Sequence, residues 1–208
     1  MTGVAAIAAV AAIGACSNSA TKDAAPSSAP STAQSSTAAP AAAHNQADMM
    51  FANMMIPHHQ QAIEMSDMIL TKQGIDPRVV DLAKQIKAAQ GPEIETMQGW
   101  LKQWGMSGMP GTHNMPGMSG SMMPGMGDMP GMDGMMSPAD MASLQNAQGV
   151  AASKLYLTQM IKHHQGAITM AQNEIKNGQS ADATALAKSI ATTQQKEIDT
   201  MNQILSTL

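Results

Sequence analysis

Apolar residues in this chain return at helical spacing in several blocks, separated by glycine, proline and polar breaks. With His58 set at zero and about 100° per residue, Phe51, Met55, Ala62, Met65 and Ile69 fall within about 60° of it. A helix from about Asp48 therefore carries His58 inside its apolar stripe. Gly74 marks its stop. Asp76 followed by Pro77 marks the next start, with the carboxylate as N-cap and proline at the first helical position. This second helix is predicted to reach about Trp104, with Gly105 beyond it, which makes a helical hairpin over residues 48–104.

Residues 105–137 break the pattern with Gly, Pro and Met, at a density of glycine and proline that forbids a helix or a central strand. Ser137 and Pro138 restart helical structure, and Gly149 is a candidate break. A third main helix is predicted from about Val150 to Lys176 with Gly178 as its stop. Ser180 can cap a fourth that runs nearly to the C-terminus, so that a second hairpin occupies residues 138–208.

The two hairpins are copies. A shift of 105 residues lays Phe51, Met55, His58, His59, Ala62 and Met65 on Tyr156, Met160, His163, His164, Ala167 and Met170. A shift of 104 lays Leu82, Ile86, Gln90, Glu93, Ile94 and Met97 on Leu186, Ile190, Gln194, Glu197, Ile198 and Met201. The offset changes where the inter-helix loops fall. Two hairpins with one apolar face each are expected to bury those faces together, giving an all-α four-helix bundle built from duplicated helical hairpins.

Composition narrows this further. Methionine occurs 23 times, while Phe51, Tyr156, Trp100 and Trp104 are the only aromatics, so the core is built from Ala, Leu, Ile and Met. Scarce aromatic and β-branched residues suit helices rather than sheets. A formal charge of -4 without a Lys/Arg cluster argues against nucleic acid as a partner.

The first 15 residues form an apolar run with the length of a signal-peptide core, too short to span a bilayer. Ile13, Gly14, Ala15 and Cys16 resemble a bacterial lipobox, in which cleavage before the cysteine leaves Cys16 lipidated and the protein anchored to a membrane. No Lys or Arg precedes the run, which leaves room for a start upstream of Met1. Residues 16–47, rich in Ala, Ser, Pro and Thr, cannot repay the entropy of ordering and are expected to form a flexible tether. With Cys16 lipidated, the mature protein has no free thiol and works outside the cytoplasm.

The candidate chemistry lies in the repeated helices. Residues four apart stand one above the other, so Met54 accompanies His58, Met55 accompanies His59, and Met160 accompanies His164, while Gln159 stands before His163. Imidazole suits copper, zinc, iron and nickel, and a thioether selects soft ions, so the mixture points to Cu(I), with Ag(I) as its mimic. Met65 lies about 10 Å along the axis from His58 and cannot share an ion with it from one helix; it either joins a separate site or packs. Glu93 with Met97 and Glu197 with Met201 repeat the four-residue interval. Either these pairs face the histidines, or they are surface acids beside core methionines. The plain alternative for the whole stripe is packing, since a histidine on an apolar face or a run of methionines is commonly core. Against it stand the doubled histidines and their recurrence.

The linker between the copies holds eleven methionines: Met106, Met109, Met115, Met118, Met122, Met123, Met126, Met129, Met132, Met135 and Met136, with His113 among them. Flexible thioethers without a thiol disfavour Zn, Mg and Ca and favour Cu(I) or Ag(I). They need no deprotonation, so capture persists in mild acid where imidazole weakens. A low-complexity spacer is the other account. Enzyme signatures are missing: no histidine has a glutamate three residues before it as ferritin-like di-iron sites require, and there is no His-Glu-x-x-His, Walker loop or Gly-x-Ser-x-Gly.

The stretches "MMIPHHQQAIEMSDMI" and "QMIKHHQGAITMAQNEI", with "AAQGPEIETMQGWL" and "TTQQKEIDTMNQIL" in the following helices, resemble the domain-of-unknown-function 305 family. That resemblance implies a ferritin-like four-helix bundle, an exported protein, and copper binding and resistance through Met and His ligands. It implies Met54, Met55, His58, His59, Met65, Met160, His163, His164 and Met170 as candidates. Gln159, Ser153 in place of Asp48, and the Met-rich insert depart from the pattern. The function expected from these readings is non-enzymatic: Cu(I) buffering or transfer, with another copper-handling protein as a partner. The competing expectation is an interaction module that presents a Met-rich surface to a protein or peptide.

Overall fold

The computed structural model describes residues 43–105 and 132–208, all within one unit that spans Ala38–Leu208. Cys16, most of the tether, and the linker residues from Met106 to Met129, His113 included, lie outside the described residues. Five helices follow in order: α1 Gln46–Leu70, α2 Pro77–Gln103, α3 Pro138–Asn146, α4 Gly149–Asn177 and α5 Ala181–Leu205, with no strand among the described residues. No described helix is long and apolar enough to cross a membrane.

Local chemistry sets the boundaries. Asn45 caps α1 in a capping box with Asp48, two residues earlier than the apolar pattern alone suggests. Asp76 caps α2 with Pro77 in its first turn, and Ser180 caps α5, both as expected. Ser137 and Asp140 form the capping box of α3. The break expected at Gly149 falls at Ala147–Gln148, and Gly149 opens α4 instead with φ +54. A Cβ on Gly74 (φ +69) would stand 3.5 Å from the Gly149 Cα, so the two glycines let the inter-helix turns of the two halves approach. Pro57 is carried inside α1 without ending it, as is Pro92 in α2.

Packing is densest within the hairpins α1/α2 and α4/α5, and α1 against α4 makes the main seam between them. The stripe predicted on α1 is buried throughout: Phe51, Met55, His58, Ala62, Met65 and Ile69 are all at or below 4 % exposed. Each such apolar side chain contributes about 1.5–3 kcal/mol of transfer free energy. Two apolar clusters result, and they exchange members between the copies. Met65 of α1 sits with Met160 and Met201 of the second hairpin. Met170 of α4 sits with Met55 and Met97 of the first. The bundle is thus pseudo-symmetric, and the seam between α1 and α4 is where all four paired histidines meet. At one end of the bundle, His44 stacks on Trp104 with ring centroids 4.8 Å apart.

Candidate metal centre at the seam

His58, His59, His163 and His164 are all at or below 1 % exposed. The His58 and His163 rings pack against each other across the seam in a tilted arrangement, with centroids 3.7 Å apart and 40° between planes. Burial first, and then the neighbouring histidines, push the His58 imidazolium down to about 3 and that of His163 well below its ordinary value. Both rings are therefore neutral across the ordinary pH range, the form in which imidazole ligates a metal.

The outer histidines have carboxylate partners. His59 Nε2 lies 2.7 Å from Glu93 Oε2, and His164 Nε2 lies 2.7 Å from Glu197 Oε2. Glu93 and Glu197 thus face the histidines of their own hairpins and are not free surface acids. On each second helix the methionine one turn beyond the glutamate, Met97 or Met201, is fully buried.

Met55, Met65, Met97, Met160 and Met201 are fully buried, and Met170 is nearly so. Met54, the residue expected beside His58, is only half-buried and packs at the edge of a cluster. Gln159 does not turn toward His163; its amide donates to the Asp140 carbonyl of α3 at 2.9 Å.

The end of the linker forms a strap over the seam. His58 Nε2 lies 3.2 Å from the Asp133 carbonyl oxygen, which can only accept, so this nitrogen carries the proton. Gln61 grips Met136 twice, donating to its carbonyl at 2.9 Å and accepting from its amide at 2.7 Å. Gly134 (φ +83) rests on Gly166, where a side chain would overlap the Asp133 carbonyl. Within the strap, Met132 and Met136 are buried and Met135 partly so. The sequence signal for this clamp was the broken symmetry at one site: Gln61 and Gly166 are equivalent positions in the two copies, in "HHQQ" and "HHQG".

Every one of the four histidines retains a buried Nδ1 without a hydrogen-bond partner, and His163 lacks one at Nε2 as well. Orphaned buried acceptors are costly unless something else satisfies them. No three His, Cys, Asp or Glu side chains converge as a metal-holding set among the described residues. Imidazole and thioether are therefore the donors the seam and its flanking clusters offer, and such a set would suit soft ions.

Residues 48–205 match the model of a domain of unknown function, DUF305. Among solved structures, a DUF305 protein of Streptomyces coelicolor assigned as secreted is 32% identical, covering 81% of this chain and 93% of that one with a TM-score of 0.63. A DUF305 fragment from Deinococcus radiodurans is 28% identical over 79% of this chain and 98% of its own, with a TM-score of 0.64. CopM in its Cu(I)-bound form is 30% identical over 77% and 96%, with a TM-score of 0.58, and CopM has also been solved with Cu(II) and with Ag. No curated protein sequence matches.

Proposed function

Because this chain belongs to the DUF305 family, we propose that it is an extracytoplasmic, non-enzymatic protein that binds Cu(I), with Ag(I) as its mimic, to buffer or pass on copper. The observation that carries the reading is the set of four buried histidines, each with an unpartnered Nδ1, on a seam flanked by two methionine-containing clusters. The residues fit the ion: neutral imidazole and thioether both ligate without losing a proton, and copper would draw on donors that already lie in the core. Similarity to CopM, solved in Cu(I)-, Cu(II)- and Ag-bound forms, supports the choice of metal. The described linker methionines Met132, Met135 and Met136 would extend the thioether supply toward the strap.

Export and anchoring rest on the Ile13-Gly14-Ala15-Cys16 lipobox, with residues 16–47 as the tether. A Met-rich docking surface is the weaker account of the bundle, because its ligand-candidate methionines other than half-buried Met54 are core residues, and Met50 is the exposed methionine among the described residues. The test is a competition titration of the lipid-free protein against a Cu(I) chelator, repeated with His58, His59, His163 and His164 changed to Ala. Binding is expected to fall in the variant. Undiminished binding would move the site to the linker, and no Cu(I) binding by the unchanged protein would end the copper reading.

A further inference from the structure

The paired glutamates do more than give each buried ring a hydrogen-bond partner. We infer that Glu93 and Glu197 are positioning residues that fix His59 and His164 as Nε2–H tautomers, making their Nδ1 atoms the ligating atoms of two equivalent half-sites for a monovalent soft cation. The inference rests on the copper reading above and specifies its ligand atoms and charge selectivity.

The geometry leaves one consistent proton placement. A carboxylate oxygen 2.7 Å from each Nε2 accepts, so Nε2 donates. An imidazolium would need a second acceptor at Nδ1, and that atom is buried in both rings with no partner. The neutral ring with its lone pair on Nδ1 is what remains. Hydrogen bonding of the far nitrogen to a carboxylate orients a ligating histidine and raises its basicity, and loss of such a partner typically weakens metal binding by about 10–100-fold. Met55 and Met97 share one apolar cluster and Met160 and Met201 the other, each pair on the two helices that carry one histidine–glutamate pair, and these thioethers would complete a soft donor set.

Charge supplies the selectivity. Each half-site holds one carboxylate, one neutral imidazole and neutral thioethers, with the glutamates themselves only 18% and 15% exposed. One monovalent cation brings the half-site to neutrality, whereas a divalent cation leaves an uncompensated charge in a poorly solvated core. Cu(I) and Ag(I) are favoured over Cu(II) and Zn(II) on this ground as well as by donor softness.

Two measurements test the inference on the whole chain. Long-range proton–nitrogen NMR of the metal-free protein should find His59 and His164 as Nε2–H tautomers, and added Ag(I) should shift their Nδ1 resonances. The double variant Glu93→Gln/Glu197→Gln keeps an acceptor for Nε2–H but removes the charge. It should retain the tautomers and its helical circular dichroism, yet bind Ag(I) about 10–100-fold more weakly in competition titration. Nδ1–H tautomers, a silver shift at Nε2, or unchanged affinity in the double variant would each overturn it. Failure of the unchanged protein to bind silver or Cu(I) would remove the copper reading, while the tautomers alone would still decide whether the glutamates position the rings.

Discussion

His58 and His163 occupy equivalent places in the two copies and face each other at 3.7 Å, yet they are held differently. His58 donates to the Asp133 carbonyl, while neither nitrogen of His163 finds a hydrogen-bond partner. His59 and His164, one residue on, are treated alike, each with its own glutamate at 2.7 Å. Duplication therefore kept the outer pair symmetric and let the inner pair diverge where a single strap crosses the seam. A strap can lie on only one side of a two-fold arrangement. One copy then had to grip it, through Gln61, and the other had to make room, through Gly166.

That division of labour is most directly broken at Gly166. A Cβ there would overlap the Asp133 carbonyl, a backbone group that cannot swing aside, so Gly166→Ala should lift the strap or strain α4. The expected loss is about 2–4 kcal/mol, the range for overpacking combined with lost burial. Urea denaturation reads it, together with faster proteolysis between Met132 and Met136. Unchanged stability and an intact strap would mean the close approach at Gly166 carries no weight.

The copies also differ where Ile69 in α1 corresponds to Glu174 in α4. Glu174 is 1% exposed and meets Asp48, itself fully buried and accepting from the backbone amides of Gln179 and Ser180. Burial raises the Asp48 carboxyl, but hydrogen bonds from Glu174, Asn45, Ser180 and Gln179 together outweigh it and hold Asp48 below its ordinary value. Burial, then the hydrogen bond with Asp48 and its charge, push Glu174 up to about 8. With Asp48 accepting from the amides of Asn45, Gln179 and Ser180, Glu174 is the member of the pair that burial and the neighbouring carboxylate favour in the protonated form.

The folded state thus keeps a proton that the unfolded chain releases near 4.5, and stability falls as pH rises from about 4.5 to 8. Glu174→Gln supplies a donor at every pH. It should match the unchanged protein near pH 5 and exceed it by about 1–3 kcal/mol at pH 9, read from urea midpoints at both pH values. An equal difference at the two pH values would show that the proton is not the link.

Much of this architecture is legible in the sequence. The hairpins, the N-caps Asp76, Ser137 and Ser180, and the α1 stripe through His58 follow from period and capping chemistry, which are local. The swap of Met65 and Met170 between clusters was not readable, because heptad spacing says which face a side chain occupies and not which helix lies opposite. The carboxylate partners stayed open for the same reason: Glu93 is about 34 residues from His59, a separation that only the hairpin's register closes. The strap was hidden differently. A run of Gly, Pro and Met has no period, so nothing local announces that Asp133 offers its carbonyl to His58.

The smallest divergence gives the cleanest cycle. Phe51 in the first copy corresponds to Tyr156 in the second, and their neighbours changed with them: Ala171 packs in the cluster of Phe51, whereas Ser66, the residue equivalent to Ala171, stands beside Tyr156. The Tyr156 hydroxyl is fully buried and lies 2.9 Å from Ser66 Oγ, and burial pushes its ionisation well above the ordinary range. Tyr156→Phe should cost about 1 kcal/mol, the net worth of a buried hydrogen bond. Ser66 keeps its bond to the Ala62 carbonyl, so its oxygen is not orphaned in that variant. Ser66→Ala alone should cost more, because it strands the tyrosine hydroxyl. The double variant reinstates the first copy's pairing in the second, and its loss should fall below the sum of the single losses by about 0.5–1 kcal/mol in thermal denaturation. Strict additivity would mean that hydroxyl and serine do not depend on each other, and that the two copies diverged here without coupling.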